Sequence, residues 1–248
     1  MGEGGEAVSL TDPQIRALLR PLLPSGLVVD ELELRGAASV GIALTTGEMD
    51  QPRSTVRADV VVVADLLHGY EIKSARDSRT RLARQVAGYS AVFDFCTLVT
   101  EPKHLSAASA LLPSWWSVLV VEGDAIRVER TGEQHAPEPE ALIRLLWKDE
   151  MRALYRAHGL WMGRSEGVAD LWKRAPEIPL VAIRAAVAAA ITKKCAPGGS
   201  REWWREVRAE QAERDRERAE EERQRTERLR AFVGDTTTRP EPQEARRG

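Results

Sequence analysis

An acid on one apolar strand and an acid-x-Lys on the next supply the parts of a phosphodiester-cutting site. Asp59 lies in Arg57-Ala58-Asp59-Val60-Val61-Val62-Val63, and Glu71 and Lys73 follow in His68-Gly69-Tyr70-Glu71-Ile72-Lys73-Ser74. Magnesium takes hard oxygen ligands and keeps several waters, so Asp59, Glu71 and the carbonyl of Ile72 suffice as the protein's share. Lys73 stands two residues from Glu71 and, on a strand, projects from the same face. Its ammonium can orient the attacking water or offset charge in the transition state. The competing explanation is a salt-bridged hairpin. Three charges inside otherwise apolar strands are costly without a task, which favours a functional site.

Arg76, Arg79, Arg81 and Arg84 follow directly, and the stretch from Arg53 to Arg84 is net basic. Arg76 and Arg84 are the candidates for phosphate contacts, with a solvated helix face as the plain alternative. His68 is expected to be an exposed turn residue rather than a ligand or base. Trp115 and Trp116 are expected to pack in the core or between domains, with stacking on a base as the alternative, and a plain core role is the alternative for Tyr89.

Several elements must position these residues. Thr11-Asp12-Pro13 starts a helix that carries Ile15, Leu18, Leu19 and Leu22 on one face. Val28 to Leu34 reads as a strand, and Val40 to Thr46 as a further one. Val56 to Val63 is a buried strand, with Leu67 to Ser74 as its partner. Arg76 to Phe93 has helical spacing at Leu82, Val86, Tyr89 and Phe93. A strand at Thr97 to Thr100, a helix at His104 to Leu111, and a hairpin of Trp115 to Val121 with Ala125 to Arg130 complete an α/β domain. The predicted boundaries are residues 1–131 for this domain, 140–199 for a helical domain, 200–233 for a long charged helix and 234–248 for a disordered tail. Glu140 to Tyr155 and Pro179 to Lys193 are the helices of the second part. From Arg201 onward acids and arginines recur three and four apart without a Leu or Ile heptad. That pattern fits a solvated helix, with a protein-binding arm as the alternative.

These residues resemble the PD-(D/E)XK nuclease superfamily, the restriction-endonuclease-like fold. The matching positions are Asp59, then Glu71-Ile72-Lys73, then Gln85-Val86-Ala87-Gly88-Tyr89, which is similar to the Gln-x-x-x-Tyr element of the RecB-like branch. The segments His68–Ser74, Tyr89-Ser90-Ala91-Val92-Phe93-Asp94 and Pro113-Ser114-Trp115-Trp116 also resemble an uncharacterised bacterial family that carries only a locus-tag name. The resemblance covers about 100 residues. It implies an αβββαβ core with a mixed central sheet, followed by an all-helical C-terminal extension. It also implies that Asp59 and Glu71 bind metal, that Lys73 is catalytic, and that Gln85 and Tyr89 hold the substrate or brace the site. Glu31 matches the extra acid that such sites often draw from an early element. The chain departs from the pattern at Ala58, where the name-giving proline would stand, and residues 36–55 look like an insertion.

The expectation is a Mg²⁺- or Mn²⁺-dependent nuclease hydrolysing DNA, in defence, repair or mobile-element biology. A catalytically silent nuclease-fold module that binds nucleic acid or a protein partner is the alternative. The net charge of −2 excludes general polyanion binding by the whole chain. The longest apolar stretch, Ile178 to Ile191, contains Arg184 and is too short to span a bilayer. The distant Cys96 and Cys195 fit reduced thiols, and a start without a basic or long apolar run is not a signal peptide. A cytoplasmic protein without a membrane partner is expected.

Overall fold

Four consecutive valines, Val60–Val63, leave strand β2 (Val56–Val63) no polar face to offer water in its second half, and all four are buried. β2 accordingly lies inside a six-stranded sheet. The computed structural model describes residues 10–37, 39–41, 56–73, 79–163, 166–195, 220 and 223. Its sheet runs in the spatial order β1 (Leu27–Leu34), β2, β3 (Leu67–Lys73), β4 (Phe95–Thr100), β5 (Ser117–Glu122) and β6 (Ala125–Arg130). Strands β1, β2 and β3 are antiparallel, β3, β4 and β5 are parallel, and β6 returns antiparallel to β5. Parallel neighbours need a crossover. Helix α2 (Arg79–Val92) supplies it between β3 and β4, and α3 (Pro102–Ser109) between β4 and β5.

Alternation along the strands gives each face its own partner. On one face Val60, Val62, Tyr70, Ile72, Val99 and Val121 pack with Ile15 and Leu19 of α1 (Asp12–Leu19). On the other, Gly69 lies so close beneath the Phe93 ring that any side chain there would collide with it. Gly88 likewise brings α2 against Val56. Tyr89 contacts Phe93 edge-on with centroids 5.2 Å apart, and Trp116 at 5.7 Å, a buried aromatic group that fixes α2 on the sheet. Trp116 also donates its indole N–H to Ser90 Oγ at 3.0 Å.

Helices follow the sheet: α4 (Pro139–Ile143), α5 (Lys148–Ala157), α6 (Val168–Lys173) and α7 (Leu180–Cys195). The single helix expected over Glu140 to Tyr155 is two. Trp147 N donates to Glu150 Oε2 at 2.7 Å, which caps a new helix where the first has ended. Val40 and Gly41, expected in a strand, are helical, and residues 42–46 lie outside the described ones. Residues Met1–Lys193 form one unit and Lys194–Gly248 a second. The charged helix and tail expected there lie outside the described residues, apart from the helical Glu220 and Arg223, an exposed pair 3.7 Å apart. No helix among the described residues is long and apolar enough to cross a membrane.

Asp94 ties α7 to the start of β3. Fully buried, it accepts from Leu67 N at 2.9 Å and pairs with Arg184 of α7 at 2.6 Å. Removing one member of a buried pair strands the other. Asp94→Ala is expected to cost on the order of 3–5 kcal/mol in urea unfolding. A loss well under about 1 kcal/mol would show that the pair is not structural.

Candidate active site

The β2–β3 ladder stops one step short of the candidate acids. Its last registered pair is Val60↔Tyr70, and the next position sets Asp59 against Glu71. There the strands are joined through side chains instead. Asp59 N donates to the Tyr89 hydroxyl at 2.9 Å, and that hydroxyl donates to Tyr70 O at 3.2 Å. Ile72 N donates to Asp59 Oδ2 at 2.8 Å. A phenol from α2 is thus wedged between two strands and satisfies one donor on the first and one acceptor on the second. Burial drives the Tyr89 pKa well above its ordinary value, and the charges of Glu71 and Asp59 add to the effect.

The β1 side is distorted at the same level. Asp30 pairs with Val60 and Leu32 with Ala58, so Glu31 is the residue that faces Asp59. Its φ is +59°, in the left-handed region that non-glycine residues rarely occupy. Such a conformation costs on the order of 1–3 kcal/mol and persists only where surrounding contacts enforce it. Arg16 of α1 does so. Its guanidinium donates to Asp59 O at 2.5 Å and to Glu31 Oε1 at 2.6 Å, pairs with Asp12 at 2.5 Å and Asp30 at 3.4 Å, and stands 3.8 Å from Asp59 Oδ1. Arg57 holds the other Glu31 oxygen at 2.5 Å.

On the α2 face, antiparallel register and strand alternation put Glu71 opposite Asp59, with Lys73 two residues on. Glu71 and Lys73 are almost wholly buried, as are Gln85 and Tyr89. Lys73 Nζ lies 3.5 Å from Gln85 Oε1. Burial pushes Asp59 up to about 6. The Ile72 amide and Arg16 pull it down, while Glu31 and Asp12 push it up further. The structure therefore gathers Asp59, Glu71, Lys73, Gln85 and Tyr89 at one end of the β2–β3 pair.

The remaining candidates stand differently. The Glu31 carboxylate is taken by Arg16 and Arg57. Arg84 is exposed on α2, and Arg76 lies outside the described residues. Ile72 holds Asp59 through its amide. His68 corrects the expectation of an exposed turn residue. It is part-buried on β3, stacked on Tyr70 at 4.1 Å, with Nε2 2.8 Å from Thr97 Oγ1, and burial lowers its pKa to about 4. Trp115 stacks on His135 at 4.2 Å. Arg16 is the residue that sequence reasoning missed. Its only local signal is the four-residue spacing from Asp12, which reads as an ordinary helix pair.

Two carboxylates and a nearby carbonyl match the oxygen donors that magnesium accepts. Among the described residues no group of three His, Cys, Asp or Glu side chains converges to hold a metal ion, so any such ion would lean on backbone and water for its remaining ligands.

The family model described as bacteriophage P4 protein cII matches residues 26–217, more than half of the chain. The chain belongs to the bacteriophage P4 protein cII family. The cII match takes in Glu31, Asp59, Glu71, Lys73, Gln85 and Tyr89, whereas Arg16 precedes it. No curated protein matches. A solved structure, described as SPO1766 protein of unknown function from Silicibacter pomeroyi, is 20% identical over 54% of this chain and 94% of its own, with a TM-score of 0.28. A score that low carries no argument about the fold of this cII family member.

The raised Asp59 pKa has a stability consequence. A carboxyl whose folded pKa lies above its unfolded value favours folding while protonated, and that contribution is lost as pH rises through the folded value. Between about pH 4 and pH 6 the ionising Asp59 therefore destabilises the fold. In chelator, Asp59→Asn is expected to be more stable than wild type at pH 7.5, by on the order of 2–3 kcal/mol. The advantage should fade by pH 4. Urea denaturation at both pH values measures it, and a gain independent of pH would contradict the assigned burial effect.

Proposed function

We propose that the chain is a metal-dependent nuclease of the PD-(D/E)XK type, acting on DNA phosphodiesters. The observation that carries this reading is the set of Asp59, Glu71 and Lys73 at one opened end of β2 and β3, under Gln85 and Tyr89 of α2. The element order α1-β1-β2-β3-α2-β4, with a mixed sheet, is also the order that the resemblance implies.

Asp59 and Glu71, with the Ile72 carbonyl, would hold Mg²⁺ or Mn²⁺. The ion, when bound, supplies Lewis acidity that activates water and offsets phosphoryl charge. The chain's own residues do the rest. Lys73 places a cation where negative charge grows on the scissile group. Gln85 fixes the Lys73 side chain, and Tyr89 holds the two acid-bearing strands at their spacing. Exposed Arg84 suits a flanking phosphate, and Arg76 is assigned the same task from its place in the sequence. Both cysteines are free thiols, which suits a reducing, cytoplasmic setting. The charged segment after Arg201 is assigned to a protein partner.

The test is Mg²⁺-dependent cleavage of plasmid and single-stranded DNA by the full chain. Wild type is expected to cleave, and Asp59→Ala and Lys73→Ala to lose at least about a hundredfold in rate. Equal rates in all three would remove the assignment.

Arg16 favours a second reading, a silent module that binds nucleic acid or a protein. Its cation already serves Asp59, Asp30 and Glu31. Calorimetry with Mn²⁺ separates the two. Heat that vanishes in Glu71→Gln supports the nuclease, and no Glu71-dependent heat supports the module.

A further inference from the structure

The sheet face that carries Glu71 and Lys73 also holds a buried hydroxyl, that of Thr100, which has no hydrogen-bond partner among the described residues. Parallel pairing sets Lys73 beside Thr100 at the last position of β4. Residues in register on parallel strands project to the same side. Thr100 is fully buried, and among the described residues its hydroxyl has no hydrogen-bond partner. A buried hydroxyl without a partner is destabilising, whereas valine would fill nearly the same space without that penalty. The preceding β4 residues, Leu98 and Val99, are buried and apolar. The uncompensated oxygen thus stands in register with a buried ammonium, which is itself 3.5 Å from a buried amide oxygen. All this lies at the carboxyl ends of two adjacent parallel strands, the end of an α/β sheet where ligands bind.

We propose that the Thr100 hydroxyl, with Lys73 and Gln85, forms a subsite for one oxygen of a phosphate group. The hydroxyl donates to that oxygen while Lys73 balances its charge. Burial limits the subsite to a single atom. The rest of the phosphate lies toward Asp59, whose side chain is 14% exposed. Thr100 is then a residue that positions the scissile group. The inference rests on the nuclease reading and adds the contact that orients its substrate.

The experiment compares wild type, Thr100→Val, Thr100→Ser and Lys73→Ala in three measurements: thermal unfolding, calorimetric binding of inorganic phosphate in Mg²⁺, and Mg²⁺-dependent cleavage of single-stranded DNA. Thr100→Val is expected to melt at or above the wild-type temperature, yet to bind phosphate and cleave at least about tenfold more weakly. Thr100→Ser, which keeps the hydroxyl, should recover both. Thr100-dependent phosphate binding without cleavage would keep the subsite and remove the nuclease. Cleavage that needs Lys73 but is unchanged in Thr100→Val would keep the nuclease and overturn the subsite. Neither binding nor cleavage by wild type would overturn both.

Discussion

The hydroxyl of Tyr89 is the point on which the candidate site depends. By entering between β2 and β3 it takes the place of a ladder bond, accepting from Asp59 N and donating to Tyr70 O. The strands can then part without leaving those two groups unsatisfied, a state that would cost about 1–3 kcal/mol for each. Ile72 N, freed by the same parting, turns to the Asp59 carboxylate. Strand separation and placement of the first acid are therefore one event, fixed from α2. The aromatic packing of Tyr89 with Phe93 and Trp116 keeps the wedge in position.

Charge concentrates where the ladder opens, and the two faces handle it differently. Toward α1, Arg16 gathers Asp12, Asp30 and Glu31 and holds the Asp59 carbonyl, and Glu31 accepts a left-handed backbone to reach it. Toward α2, Glu71, Lys73 and Gln85 are buried. Buried charges in a sheet that could have been apolar stabilise poorly. Strain at Glu31, a raised Asp59 pKa and a Thr100 hydroxyl without a partner among the described residues add further cost around the same site. That coincidence is the pattern expected of a site kept for chemistry rather than for stability.

Much of this was legible in the sequence because it rests on periodicity. The valine run marks β2 as buried, and β3 follows at hairpin distance. The spacing of Leu82, Val86, Tyr89 and Phe93 marks the face of α2 that meets the sheet. Strand alternation alone puts Glu71 and Lys73 on one side. What escaped depends on contacts between residues distant in sequence. Arg16 looks like half of a helix pair, and nothing local says that it reaches Asp59, 43 positions away. Glu31 was legible as a further acid, but its positive φ and the Arg16 and Arg57 guanidiniums that take its carboxylate were not. Thr100 is a β-branched residue at a strand end, unremarked until its register with Lys73 is known. His68 seemed exposed because turn proximity is visible in sequence and the flanking Tyr70 and Phe95 rings are not.

The central claim is that Asp59 and Glu71 share one divalent cation, and anomalous diffraction from a crystal of the full chain soaked in Mn²⁺ tests it most directly. The account requires a single manganese peak about 2 Å from a carboxylate oxygen of each residue. No peak between them, with Arg16 still engaging Asp59 and Glu31, would contradict it.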